Sequence, residues 1–412
     1  MFLRRRNNIS LSDSVPPVEP AEPQRGGGLD PVQPGYLGPT PPAGLPPQRG
    51  ERLWVERPEQ LLQAVTMLQQ ANVIAIDAEF TQARSRVQGE SGSSVPRLAL
   101  LQLAIDQHCF VVDAWRLNNL APLAPVVEDP DKAILLHGAG ADMRVMAERG
   151  LYVAHYYDLE ATCRSIFGQH ESSLAAMLQR AFAIRLDKSL QRTDWTRRPL
   201  PPAMVAYAAR DAEVTLALYH WLKQYYPDIL QLHEYSGEVE LVASWIEPFL
   251  RGSSALSPEM AVLEAQAQGI IANKDQIVED CRAALSILIQ PMRRSRLLRL
   301  ITDLSLIQLV PDIIPLLEAP TSDERASSAR ALGRLDAKSA HDALLPLLQD
   351  PVYDVRKAAH AALTHLDEKE PRPQRAAPSK AADGTRSWVV ESSTPADGED
   401  GWKARLRSIM DS

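Results

Sequence analysis

Five side chains in three short stretches could carry out hydrolytic chemistry together. Asp77 and Glu79 stand at i and i+2 behind the apolar run Val73–Ile76. On a strand those positions share a face, so the two carboxylates project side by side. They repel each other, and burying them is costly unless a cation compensates. Asp142 follows the turn Gly138-Ala139-Gly140 at the start of an expected helix. Tyr207 and Asp211 lie at i and i+4 within 204–226, a stretch that reads as a helix, and so are neighbours on one helical face. Four acids and a phenol offer hard oxygen ligands, a set that suits Mg2+ or Mn2+ rather than zinc. Two such ions about 4 Å apart can activate a water and steady the leaving oxygen, which is the two-metal route to phosphodiester cleavage. Any one of these acids alone reads as surface charge. Their combination, in this order, points to chemistry.

The motifs Asp77-x-Glu79, His137-x-x-x-x-Asp142 and Tyr207-x-x-x-Asp211 resemble the three exonuclease motifs of the DEDD superfamily, in its tyrosine (DEDDy) branch. The histidine branch would need His at position 206, which is Ala206 here. The likeness to ribonuclease D extends to Leu98–Leu103 (LALLQL), Leu136–Asp142 (LHGAGAD), Leu186–Leu200 (LDKSLQRTDWTRRPL) and Tyr207–Asp211 (YAARD), and it covers about 73–223. It implies an α/β, ribonuclease H-like mixed sheet flanked by helices. It also implies a 3′–5′ exonuclease that releases nucleoside monophosphates from single-stranded RNA, with tRNA precursors among the candidate substrates. DNA is the alternative substrate, and a catalytically silent nucleic-acid- or protein-binding module the alternative class. The resemblance assigns roles as well. Asp77 would bridge two divalent cations, Glu79 and Asp211 would hold the one that activates water, and Asp142 would hold the second. Tyr207 would orient the attacking water, a task that suits a phenol of ordinary pKa near 10 better than deprotonation does. The chain departs from ribonuclease D in two places. The loop 82–96 is longer, with Val95 where a tyrosine usually precedes the proline, and 229–366 lacks the helical HRDC pattern.

These residues need elements to hold them. Pro58 opens a helix through Ala71, as proline does at a first helical position, and Val73–Phe80 follows as a strand. Leu98–Ile105 and Cys109–Ala114 read as strands around the hairpin signal Asp106-Gln107-His108. Ala133–His137 is a short buried strand, and helices dominate from Ser172 to Tyr226. A sheet covered by helices follows. Beyond it the chain reads as all-helical, and Pro315, Leu316, Leu317, Pro320, Asp323, Arg325, Leu332 and Leu335 recur 31 positions later as Pro346, Leu347, Leu348, Pro351, Asp354, Arg356, Leu363 and Leu366. The unit resembles a HEAT-type repeat: a helix ending in Leu-Leu, a proline turn, and a second helix with Asp-x-Arg. Two such units need neighbours to bury their faces, a role left to the helices of 228–310. The recurring Asp-x-Arg reads as a polar ladder between repeats, worth little if exposed. A protein partner on the repeats is a further expectation.

The expected domains are an unstructured arm (1–50), the exonuclease domain (51–227), a helical linker or cap (228–310), the HEAT-like repeats (311–366) and an unstructured tail (367–412). The arm holds 18 Pro and Gly in 50 residues, above the roughly 25–30% that marks unstructured sequence. The net charge of −8 excludes a bulk nucleic-acid coater, so contact with polyanions must come from local basic patches. The best of these is Arg180–Arg198. There Lys188, Arg192 and Arg197 are expected to hold phosphates, and Trp195 reads either as a stacking surface for bases or as core. The cluster Arg293, Arg294, Arg296 and Arg299 reads as a solvated helix face, and His137 as a structural residue at a strand end. Three isolated cysteines without a CxxC pair fit a reducing, cytoplasmic setting. No apolar run is long enough to span a membrane, and Arg4–Arg6 lack the apolar segment of a secretory signal.

Overall fold

The computed structural model describes residues 50–81, 96–185, 190, 193–237 and 240–367, with the two-residue strands Ser379–Lys380 and Arg386–Ser387. The first part runs β1 (Glu51–Val55), α1 (Pro58–Leu68), β2 (Val73–Phe80), β3 (Leu98–Ala104), β4 (His108–Val112), α2 (Ala124–Val127), β5 (Ala133–Leu136), α3 (Ala139–Ala147), β6 (Tyr156–Asp158), α4 (Leu159–Phe167), α5 (Leu174–Phe182), α6 (Pro202–Tyr225), α7 (Pro227–Gln231) and β7 (Glu234–Tyr235). The strands form one mixed sheet in the order β1-β4-β3-β2-β5-β6-β7. β2 is central, antiparallel to β3 and parallel to β5. The seventh strand therefore lies beyond the boundary expected at residue 227.

Every residue of β3 is buried, as expected of an apolar strand covered on both faces. On one face α6, α4 and α5 pack through Ala208, Ala212, Cys163 and Met177 against Ala75, Leu100 and Ala104. On the other, α1 and α3 pack through Leu61, Leu68, Val145 and Met146 against Ile74, Ile76 and Leu103. The β3–β4 hairpin is tighter than expected. Ile105 and His108 exchange backbone hydrogen bonds at 2.9 and 3.3 Å, so only Asp106 and Gln107 form the loop and His108 belongs to the strand.

The second part is helical: α8 (Glu247–Arg251), α9 (Pro258–Ala267), α10 (Lys274–Ile287), α11 (Pro291–Asp303), α12 (Val310–Ile313), α13 (Ser322–Arg334), α14 (His341–Leu344) and α15 (Tyr353–Asp367). The 31-residue period superposes α13 on α15. The first helix of each repeat is broken into 3-10 and α turns, Ile307–Glu318 and Lys338–Gln349. Pro315 and Pro346 withhold backbone donors there, so the single helix expected before each turn does not form. α13 and α15 pack so closely that a Cβ on Gly333 would lie 2.8 Å from the Ala362 Cα.

The polar ladder differs from expectation. Arg325 pairs with Asp350, not with a member of the repeated Asp-x-Arg, at 2.7 Å with both side chains buried. Asp323 and Asp354 leave the array altogether. Asp323 accepts from the Ser165 hydroxyl at 2.9 Å and faces Arg164 at 3.5 Å on α4. Asp354 accepts from the Gln169 backbone N–H at 3.0 Å. The arginines of α11 are not one solvated face either. Arg293 is 7% exposed and pairs with Glu240 and Glu247, and Arg294 pairs with Glu324. Only Arg299 is freely exposed, because the others face neighbouring helices. No helix among the described residues is long and apolar enough to cross a membrane.

Candidate active site

The face of β2 that meets α6 carries the chemistry. Alternation along the strand puts Asp77 and Glu79 on the side of Ala75, which packs in the α6 core. A β-bulge falls between Glu79 and Phe80, a device that re-aims side chains where a strand ends beside a site. α6 lies across this face and brings down Asp211, so that carboxylate oxygens of Asp77, Glu79 and Asp211 all lie within 4.8 Å of one another. Two bidentate pairs fix the frame. Arg52 on β1 holds Glu213 of α6 at 2.7 Å through both oxygens. Arg198, leading into α6, holds the fully buried Asp113 at 2.7 and 2.6 Å.

Asp142 enters from α3. Its helix starts at Gly138, whose φ of +83° suits glycine. A Cβ there would meet the Glu160 carboxylate at 2.7 Å. Asp142 is 7% exposed and is not within the tight cluster of three, but its charge acts on both Asp77 and Glu79. Burial first, then the charges of Asp142, Asp211 and Glu79, push the Asp77 carboxyl far above its ordinary range. Burial and the charges of Asp211 and Asp142 raise Glu79 to about 9. Burial and Asp158 raise Asp142 to about 7. The Tyr207 phenol donates a hydrogen bond to Asp211. Burial and the neighbouring acids push it up, so it stays protonated.

This donor set fits a divalent cation. Hard carboxylate oxygens converge from two elements, and each loses stability as the others ionise, the strain that a bound cation relieves.

The other expected residues divide. Trp195 is 3% exposed in the α6 core, with its ring 6.2 Å from that of Tyr207. It is a support beneath the site and not a stacking surface, because the Arg198–Asp113 pair draws its segment onto the sheet. Arg197 is exposed. Lys188 and Arg192 lie outside the described residues. His137 Nε2 donates to the Ser172 carbonyl at 3.0 Å. Burial lowers the His137 pKa, and the ring sits at a strand end. Gln102 carries a signal missed in the sequence. It is fully buried directly opposite Asp77, and its amide has no hydrogen-bond partner among the described residues.

A 3′–5′ exonuclease family model matches residues 53–226, the segment that builds this site. Residues 53–226 are thus similar to 3′–5′ exonucleases. A HEAT-repeat model matches residues 310–391. The chain is 32% identical to Protein RRP6-like 3 of Arabidopsis thaliana, over 40% of its own length and 18% of that protein. It is 27% identical to ribonuclease D of Haemophilus influenzae, over 40% of its own length and 39% of that enzyme. The chain thus spans less than half the length of these relatives. The catalytic core of RRP6 from Trypanosoma brucei is 19% identical and aligns over 81% of this chain and 82% of that one, with a TM-score of 0.40. The exonuclease domain and the repeats together make an α/β sheet domain followed by a helical array.

Proposed function

We propose that the chain is a divalent-cation-dependent 3′–5′ exonuclease that trims single-stranded RNA to nucleoside monophosphates. The observation that carries this reading is the convergence of Asp77, Glu79 and Asp211 within 4.8 Å, on the elements where the motif spacing puts them. RNA is favoured over DNA because the related proteins include a ribonuclease D. Asp77, Glu79, Asp211 and Asp142 would hold Mg2+ or Mn2+, two ions in this reading, which would supply charge compensation and Lewis acidity toward water and phosphate. The chain's own groups do the rest. The buried carboxylates would hold the cations in place. Tyr207, kept protonated by burial and by Asp211, can donate and orient but cannot act as a base. Arg197, exposed two residues beyond Trp195, is the described cation that would hold the strand, together with Lys188 and Arg192. The three buried free cysteines suit a cytoplasmic setting.

The test is incubation of the purified chain with 3′-labelled and 5′-labelled RNA and DNA strands, with Mg2+ or Mn2+ or with chelator. Mononucleotide release from the 3′ end, lost in chelator and blocked by a 3′ phosphate, is expected. Steady degradation of circular strands, or full activity in chelator, overturns the reading.

A further inference from the structure

α11 and α13 lie side by side, and a groove of about 290 Å³ runs between them. Four arginine side chains line it together with Met292, Leu298 and Ala331: Arg296 and Arg299 from α11, and Arg330 and Arg334 from α13, the Arg296 guanidinium lying against Gly252 at the end of α8. The spacings i, i+3 and i, i+4 turn each pair to one side of its helix. Little of this charge is neutralised within the fold. Arg299 and Arg334 share one carboxylate, Asp303, at 3.7 and 3.1 Å, and their side chains stay 79% and 60% exposed. Arg296 donates to the Leu250 carbonyl at 2.6 Å and Arg330 to the Ser327 hydroxyl at 3.2 Å, both neutral acceptors. Asp323 and Asp354 act on Arg330 only through their charge, and both are engaged with the exonuclease domain.

The lining residues include no aromatic side chain, so unpaired bases would find nothing to stack on, unlike on a single-strand surface. The Ser327 hydroxyl donates to Ser295 at 2.9 Å, which leaves the Ser295 hydroxyl to donate outward; with the guanidinium groups it matches phosphates, which a paired stem presents outward whatever its sequence. α13, which carries half the groove, is bonded at Asp323 to α4 of the exonuclease domain. A stem lying here would stay on the same body as the acidic site. We propose that this groove binds the phosphate backbone of a base-paired segment of the RNA whose 3′ tail enters the exonuclease site. The inference rests on the exonuclease reading for its substrate but not for its measurement. An acidic peptide is the competing occupant.

The test is fluorescence anisotropy on the full chain in chelator, with a hairpin RNA bearing a short 3′ tail and with the tail alone. The variant Arg299→Ala/Arg330→Ala/Arg334→Ala should weaken hairpin binding about tenfold or more. It should also flatten the salt slope by roughly 2–3, at about 0.9 per lost duplex contact. Tail binding and Mg2+-supported cutting of a short strand should match the parent chain. The corresponding triple Lys variant should keep most of the hairpin affinity, and it carries the test if the Ala variant does not fold. Hairpin binding that ignores the arginines, equal weakening of hairpin and tail, or tighter arginine-dependent binding of a polyglutamate peptide than of the hairpin overturns the proposal. Arginine-dependent hairpin binding by a chain that cuts nothing would leave the groove standing and sink the exonuclease reading. Cutting with arginine-independent hairpin binding would do the reverse.

Discussion

Burial and mutual charge set the behaviour of the site carboxyls, and the sign of their effect on stability follows. Glu79 is raised to about 9, Asp142 to about 7, and Asp77 also moves upward. Between the unfolded carboxylate value of about 4 and these values, the native state binds more protons than the unfolded state, so stability falls as pH rises. Below about pH 6.5 the buried His137 and His233, both lowered, push stability the other way. Thermal melts in chelator should therefore show a Tm that declines from pH 7 to pH 9, and Mg2+ or Mn2+ should flatten that decline. A metal-free Tm that climbs from pH 7 to pH 9 would show that these acids are not buried beside like charges. Asp77→Asn removes one repelling charge. It is expected to raise the metal-free Tm at pH 8 while abolishing nuclease activity, and a variant that still cuts would remove Asp77 from the site. Gln102 is a buried amide without a hydrogen-bond partner among the described residues, and such a group costs about 1–3 kcal/mol. Gln102→Leu is expected to stabilise the chain by about that amount in chelator denaturation, and a loss would mean that the amide is satisfied by water or by the site. The pairs Asp77/Glu79 and Tyr207/Asp211 could be read from the sequence because strand and helix periods fix which side chains share a face, whereas joining them with Asp142 into one set rested on the motif resemblance. Gln102 could not, since one amide in an apolar run announces nothing. Trp195 was ambiguous because spacing alone does not reveal that Asp113 captures Arg198.

At the scale of elements, local periodicity placed β2, β3, β5 and α6 to within a few residues, because each is a long apolar or amphipathic run bounded by a turn. It failed where partners decide. β7 is two residues long and exists only because β6 offers it an edge. The Asp-x-Arg of the repeats is visible as a period of 31, but its partners are not. Arg325 goes to Asp350 inside the array, while Asp323 and Asp354 go to α4 and Gln169 outside it. The close approach of α13 and α15 gives a further test. In an exposed helix Gly→Ala gains about 1 kcal/mol. At Gly333 the new methyl would lie 2.8 Å from the Ala362 backbone, and overpacking of that kind costs about 1–3 kcal/mol. Gly333→Ala is therefore expected to lower denaturant stability on balance. A net gain would mean that the two helices can part without loss.

Across the whole chain, the array is joined to the exonuclease domain by a chain of hydrogen bonds. Burial lowers the His233 pKa to about 3, so the ring is neutral. Its Nε2–H donates to the Ser165 oxygen at 2.8 Å, and the Ser165 hydroxyl donates to Asp323 at 2.9 Å. Ser322 adds a bond to the Arg164 carbonyl at 3.0 Å, and Val352 packs over Gly168 so closely that a Cβ there would meet it at 2.7 Å. All of this lands at or just past the C-terminal end of α4. The other end of the same nine-residue helix is capped by Asp158, which also accepts from Gly138 at 3.3 Å and whose charge raises Asp142. The repeats thus brace a helix whose far end borders the site, and yet contribute none of its acids. Hydrogen bonds to a charged group contribute about 1.5–3 kcal/mol, so Asp323→Ala should destabilise the full chain by about that much. Asp323→Asn keeps an oxygen that Ser165 can reach and should lose less. Cutting of a short single strand should persist in both variants, because Asp77, Glu79 and Asp211 are held by β2 and α6. If Asp323→Ala melts like the parent, the array is not anchored through this chain of bonds. If Asp323→Ala stays folded but stops cutting, α4 carries the array's influence into the site.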